Sequence, residues 1–497
     1  MTSVKKLGIS RRQFSLVGGS TIIAGLGLPA SSVLAGARKD ILWTGVHFIQ
    51  DCYDGGEAVV CPEIERVFPH LSPHFKDTKK RSILFEKLAG TWGTPIGASR
   101  QHRVVWIDDE TISGDKEINK SNLAMMVGIT SDRAIANKFY RDANLHFMVY
   151  ELQSYLFIID LEAFEILRSY PIRIWSVDKE KGERIGSDLE SDLQKKMWRS
   201  LTGGAGNQSK TKYVPQEIHS LFQRIEFNNL KKVNLRVTKA GATKLAKKWI
   251  RKEHQQDNQP ETSERQKISD FESILGNSIT NSISEKFGIG IQPYTSNAAL
   301  GIMLEDWEIS QGKDSMSDQK LLNTGIIDLD IRVRAKGVFV QDKPVSQASR
   351  RNQIKNTDSN WHQKTEETHK KAFNHQITIM VELEAGRWKR TYDNDERQTE
   401  QTATRMGPPI FKQYLYGVSG ENTTGVWSND WYYVLDLHQR LFDWFFRQLL
   451  AGDYSDMAIG QRYKYDNRAF FNRVRTKDAA GFEQQARALR LALLNEK

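Results

Sequence analysis

Cysteine is nearly missing from this 497-residue chain, which has only Cys52 and Cys61. Two thiols exclude a four-cysteine iron–sulfur cluster held by one chain, and no Cys-x-x-Cys-His motif is present for c-type haem attachment. Runs of apolar residues long enough for several membrane spans are also missing. The charged fraction of 27% argues against a polytopic membrane protein. Gly203-Gly204-Ala205-Gly206 leads into Asn207-Gln208-Ser209-Lys210. That stretch lacks the Gly-Lys-Ser/Thr ending of a phosphate loop and reads as a hinge. Gly417-Val418-Ser419-Gly420 falls short of a nucleophile elbow, because Glu421 stands where the last glycine is required. No Ser–His–Asp set can be ordered by motif, and no repeat at solenoid or propeller spacing is found. The sequence therefore names no reaction and no cofactor.

The N-terminus carries the most specific pattern. Ser10-Arg11-Arg12-Gln13-Phe14 is followed by an uncharged stretch to Gly36. Leu16 to Leu28 is apolar but diluted by Gly18, Gly19, Gly25 and Gly27. At 13 residues it is shorter than the ~20 needed to span a bilayer. Pro29 breaks a helix there, and small residues follow, with peptidase sites after Ala35 (Val-Leu-Ala) or Ala37 (Ala-Gly-Ala). Residues 1–37 resemble a twin-arginine signal peptide, departing from its pattern at Ser15 and Leu16, where Leu and Lys are usual. The resemblance implies a bacterial protein passed folded through the twin-arginine translocase, to be periplasmic or secreted. Proteins of this route often acquire a cofactor or partner in the cytoplasm before transport.

In an oxidising compartment Cys52 and Cys61, separated by the turn Asp54-Gly55-Gly56, can close a small disulfide hairpin; two unpaired thiols in a loop are the alternative. The formal charge is +10, and losing the four cations of the leader leaves +6, mildly basic and suited to anionic surfaces.

Periodicity predicts an α+β protein: two mixed α/β modules with antiparallel strand pairs, plus a C-terminal helical segment. Strands are expected at 40–48, 103–107, 123–129, 146–159 and 165–177, the last interrupted by Pro171, which suits an edge or a bulge. Residues 62–80 read as loop. Helices are expected at 189–201 and 215–227, then a strand at 233–237 and a basic helix at 241–254. Residues 255–267 lack any aliphatic or aromatic side chain and read as a linker. This divides the mature chain into 38–254, the linker 255–267, 268–420 and 421–497. The second module opens with Ser269 and Glu272 as a capping box, an apolar stripe from Phe271 to Phe287, and Gly288 as the terminating glycine. Strands 327–335 and 377–384 alternate cleanly and should pair antiparallel, with a long polar segment, 342–373, between them. Asp430 to Leu450 is an aromatic-rich helix that must pack against something, and 479–494 is a final helix. The capped helix, short strand and paired long strands resemble the small α/β modules of envelope assembly factors, such as those near the curli secretion channel or the penicillin-binding protein activators.

Three groups of side chains are candidates for chemistry or binding. Asp108, Asp109 and Glu110 follow a strand and could hold a divalent metal, though a solvated turn is the ordinary role. His70 and His74 are four apart, but Pro69 and Pro73 oppose the helix that zinc would need; His362, His369 and His375 share the polar segment. Lys244, Lys247, Lys248, Arg251 and Lys252 make the basic helix a candidate contact with an anionic membrane surface or an acidic partner; export disfavours nucleic acid. The expected function is an exported periplasmic binding or scaffold protein acting through protein or cell-envelope contacts. The mature chain is expected to lack a transmembrane helix. The competing expectation is an exported enzyme with a cofactor or metal loaded in the cytoplasm.

Overall fold

The computed structural model describes residues 39–49, 53–54, 59–60, 64–76, 102–106, 120–138, 145–160, 165–181, 187–203, 213–227, 230, 235–256, 264–292, 294, 326–344, 373–391, 402–423, 430–454, 457, 463–464, 469–473 and 479–495. The chain is α+β. It opens with β1 (Lys39–Phe48), a hairpin of β2 (Tyr53–Asp54) and β3 (Val59–Val60), and short helices α1 (Ile64–Val67) and α2 (Ser72–Lys76). Next come β4 (His102–Trp106), three long strands β5 (Lys120–Lys138), β6 (Leu145–Asp160) and β7 (Glu165–Lys181), and helices α3 (Ser187–Thr202) and α4 (Val214–Phe222). The first sheet has the order β4-β1-β5-β6-β7. β1 is parallel to both of its neighbours, while β5, β6 and β7 form an antiparallel meander.

Strand alternation builds the first core. Leu152, Leu156 and Ile158 of β6 and Tyr170, Ile172 and Ile174 of β7 share a face, packed on Met197 and Leu201 of α3 and Ile218 and Phe222 of α4. β7 is the edge strand, as Pro171 suggests. The Ser169 carbonyl points outward, accepting from Ile291 N at 2.9 Å. Pro171, two residues on, has its missing N–H on that same edge, where no ladder bond to β6 is lost.

The second sheet is entered through β8 (Leu235–Ala242), followed by α5 (Lys244–Gln256) and α6 (Glu264–Phe287). Then come β9 (Ile326–Pro344), β10 (Phe373–Thr391), β11 (Thr402–Arg405), β12 (Phe411–Thr423), helix α7 (Asp430–Ala451), β13 (Tyr463–Lys464), β14 (Ala469–Arg473) and α8 (Ala479–Asn495). Its order is β13-β14-β12-β10-β9-β8, with β11 also on β10. β8 is parallel to β9, and the other pairs are antiparallel. Ile331, Val333 and Ala335 of β9 and Ile379, Val381 and Leu383 of β10 point into a core filled by α5, α6, α7 and α8. The opposite face carries cross-strand rows of charge, Arg334–Glu382 and Arg332–Glu384–Lys412, with Lys412 Nζ 3.0 Å from Glu384.

Several expectations change. Residues 62–80, read as loop, contain α1 and α2. The Oδ2 of Asp132, a strand residue 61 positions away from Leu71, accepts from Leu71 N at 2.7 Å and His70 N at 3.0 Å, capping the turn into α2. No local sequence signal encodes that cap. The capping box at Ser269 does not form, because α6 already begins at Glu264. Glu264 meets Arg251 Nε at 2.6 Å and Lys267 Nζ lies 5.2 Å from the centre of the Trp431 ring, contacts that draw the polar start of the segment into the helix. Glu272 instead accepts from Ala242 N at 2.9 Å, tying α6 to the end of β8. Gly288 does end the helix, with φ +66° and its N–H on Ser284 O at 2.8 Å. The sheets also divide the chain differently from the polar linker. β8 and α5 lie before residues 255–267 yet belong with the second sheet, because β8 pairs with β9 and α5 packs in its core. Residues 421–497 share that core through α7 and α8 and that sheet through β13 and β14.

α6 lies between the sheets. Phe271, Leu275, Ile279, Ile283 and Phe287 join the second core, while Asn277, Ser278, Asn281 and Ser282 are buried too. Such a helix shows little amphipathicity because it has no water-facing side along its middle. Among the described residues, no helix is long and apolar enough to cross a membrane.

Candidate interaction surface

Thr243 sets the start of α5. Its N–H reaches Ala335 O at 2.9 Å, its hydroxyl donates to Lys336 O at 2.7 Å, and its carbonyl accepts the first helical bond from Lys247 N at 2.8 Å. Ala246, Trp249 and Ile250 bury one side of the helix, and Trp249 stacks on Trp431 with centroids 5.7 Å apart. Two of the five predicted cations are engaged: Lys247 lies 3.5 Å from Glu272, and Arg251 pairs with Glu264. Lys244, Lys248 and Lys252 are exposed, and none makes an ion pair among the described residues. Spaced four apart, they form one line about 12 Å long at 1.5 Å per residue.

The remaining sequence candidates separate. Ser10, Arg11, Arg12, Phe14, Ala35 and Ala37 lie outside the described residues, as do Asp108, Asp109 and Glu110, and Cys52 and Cys61. The strands beside the cysteines are described: Tyr53 pairs with Val60 and Asp54 with Val59. His74 stacks on Trp198 and has its Nε2 3.3 Å from Gln194 O, so it is used in packing. His362 and His369 lie outside the described residues, and His375 is a β10 residue opposite Asp342 and Glu421. Among the described residues, no group of three His, Cys, Asp or Glu side chains is placed to hold a metal ion.

Sequence reasoning missed a charge network between the sheets, in which Glu151 is buried and Arg173, Asp436, Arg440 and Asp443 are partly buried. Glu151 of β6 accepts from Arg173 Nε of β7 at 2.5 Å and from Gln153 Nε2 at 2.8 Å. Burial pushes the Glu151 carboxyl up, but Arg173 and Arg133 outweigh it, so its pKa falls below the usual carboxylate value. Arg173 also feels Asp436 and Asp443 of α7. On that helix Asp443 Oδ1 accepts from Ser282 Oγ of α6 at 2.6 Å and from Gln439 Nε2 at 3.0 Å, and Asp436 pairs with Arg440 at 2.7 Å. Desolvation dominates at Asp436 and raises its pKa despite Arg440 and Arg173. Alternate polar residues on long strands are the only sequence trace of this network, and they read equally as a solvated face. The network gathers three guanidinium groups, Arg133, Arg173 and Arg440, with three carboxyls, Glu151, Asp436 and Asp443.

Two isolated groups are strongly perturbed. Asp132, buried in the first module, is pushed up to about 7 by burial, against its bonds from Leu71 and His70. His438, buried in α7 with its ring edge-on to Phe271, is pushed down to about 4 by burial. Its Nδ1 donates to Val434 O at 2.7 Å, and its Nε2 has no hydrogen-bond partner among the described residues. The two side chains belong to different modules. No family model matches the chain, and no curated protein matches it.

Proposed function

We propose that the chain is an exported periplasmic binding or scaffold protein that works through contacts with the cell envelope, with α5 resting on an anionic surface. The observation that carries this reading is the line of Lys244, Lys248 and Lys252, exposed and unpaired on a helix whose other side is anchored by Trp249 and Ile250. Export rests on the Ser10–Phe14 motif and its weakly apolar leader; the translocase is the partner in transit.

The test is co-sedimentation of the purified mature protein with isolated envelope material at low and high salt. Each lysine near an anionic surface contributes about 1 kcal/mol, so the triple substitution K244E/K248E/K252E should weaken binding roughly a hundredfold or more. Equal binding by the native and triple-substituted proteins refutes the role of α5. A stoichiometric metal or chromophore in protein purified from the periplasm would replace the scaffold reading with that of an exported enzyme.

A further inference from the structure

The lysine line does not stand alone. Leu245 and Phe339 are both large, apolar and exposed, by 46% and 42% respectively. They come from different elements, α5 and β9, yet converge over Gly337. A Cβ at that glycine would lie 3.2 Å from Leu245 Cδ2 and 3.1 Å from Phe339 Cζ. The lack of a side chain at 337 leaves room for both beside the backbone there. On α5, Leu245 lies within about 20° of Lys252 and 60° of Lys248 at 100° per residue, so the apolar pair borders the line of free charge.

We infer that this corner is a docking patch for an anionic phospholipid surface, with Leu245 and Phe339 entering the headgroup boundary while Lys244, Lys248 and Lys252 meet the phosphates. The inference rests on the envelope-binding reading above and names its partner. A polyanionic cell-wall polymer needs only the lysines and gains little from two exposed hydrocarbon side chains. A lipid surface uses both, because apolar groups are drawn into the boundary while cations remain at the headgroups. The charge complementarity and the adjacency of the two apolar groups favour the bilayer.

The test uses the full mature protein with vesicles of phosphatidylglycerol and phosphatidylcholine, vesicles of phosphatidylcholine alone, and purified cell-wall sacculi. Binding should appear on the phosphatidylglycerol vesicles. It should drop about tenfold or more in L245S/F339S, whose changes are at the surface, and further in K244E/K248E/K252E. Native-like vesicle binding by L245S/F339S, alongside loss in the lysine variant, overturns the lipid patch and leaves the electrostatic reading of α5 standing. Binding to sacculi but not to vesicles has the same consequence. Failure to bind either material overturns both.

Discussion

Replacing His438 by glutamine should change how stability depends on pH, by an amount that the two perturbed groups determine. Between pH 4 and 6.5 the unfolded imidazole binds a proton that the buried ring refuses, so this group makes stability rise with pH. The depression from 6.5 to about 4 corresponds to roughly 3 kcal/mol at 1.36 kcal/mol per unit. Asp132 acts in the opposite sense. Between pH 3.8 and 7 its folded carboxyl keeps a proton that the unfolded one has lost, so stability falls as pH rises, by about 4 kcal/mol in all. Over the shared window the two slopes cancel when both modules unfold in one transition. His438→Gln leaves the Asp132 slope alone, and its stability relative to the native chain should fall by roughly 3 kcal/mol from pH 4 to 6.5. Asp132→Asn should gain about 4 kcal/mol relative to native from pH 4 to 7. The assay is denaturant unfolding at half-unit pH steps, read as variant minus native, so that every other titrating group drops out. A flat difference for either variant refutes the assignment for that side chain. Parallel slopes of one sign would refute the opposition between them.

Two further outcomes follow from single contacts. Gly276 lies inside α6 under the ring of Tyr294, which occupies the space of a Cβ, while Tyr294 OH accepts from Ala240 N at 3.3 Å. Helix propensity alone would make Gly276→Ala stabilising by up to about 1 kcal/mol, but displacing the ring should instead cost about 1–3 kcal/mol, seen as a lower thermal midpoint. Cys52 and Cys61 flank the β2–β3 hairpin in the sequence. On the proposal that the chain is exported, the two should form a disulfide, and free thiols on both cysteines in periplasmic material, read by mass after alkylation without reductant, would refute it.

What could be read from the sequence follows from how local each cause is. β9 and β10 were legible because each has one wet and one buried face, so that Ile331, Val333, Val381 and Leu383 alternate with charge. Helix α7 was legible from its own aromatics, and Gly288 from the need for a positive φ. The start of α6 was not, since its first turn is held by Arg251 and Trp431 from other elements. The parallel pairing of β8 with β9 joins residues about ninety positions apart, as in Leu235 with Leu329, and no periodicity records it. On α5 the five cations were visible in sequence, but which of them Glu264 and Glu272 would engage depends on packing.

The polar character of the layer between the sheets has a physical consequence for the chain as a whole. An apolar layer would join the modules with little regard to alignment, because burial of hydrocarbon has no direction. Here the contacts are directional. Tyr155 OH donates to Asn277 at 2.7 Å, and Ser169 bonds with Ile291 through both its hydroxyl and its carbonyl. One residue on, Gln292 N reaches Leu235 O of β8 at 3.0 Å. Residues 291–292 therefore stitch the outer edge of β7 to the outer edge of β8, protecting two strand edges that would otherwise invite pairing with other chains. Burial of the Glu151 carboxyl costs desolvation energy, and a shift in alignment would leave it beside the wrong partner. Replacing a buried ion pair by hydrocarbon is often neutral for stability, whereas removing Arg173 would leave Glu151 a buried charge without its partner. The main effect of the network is thus to select one arrangement of the two sheets, which fixes where α5 sits relative to the rest of the molecule and so which face the protein presents to its surroundings.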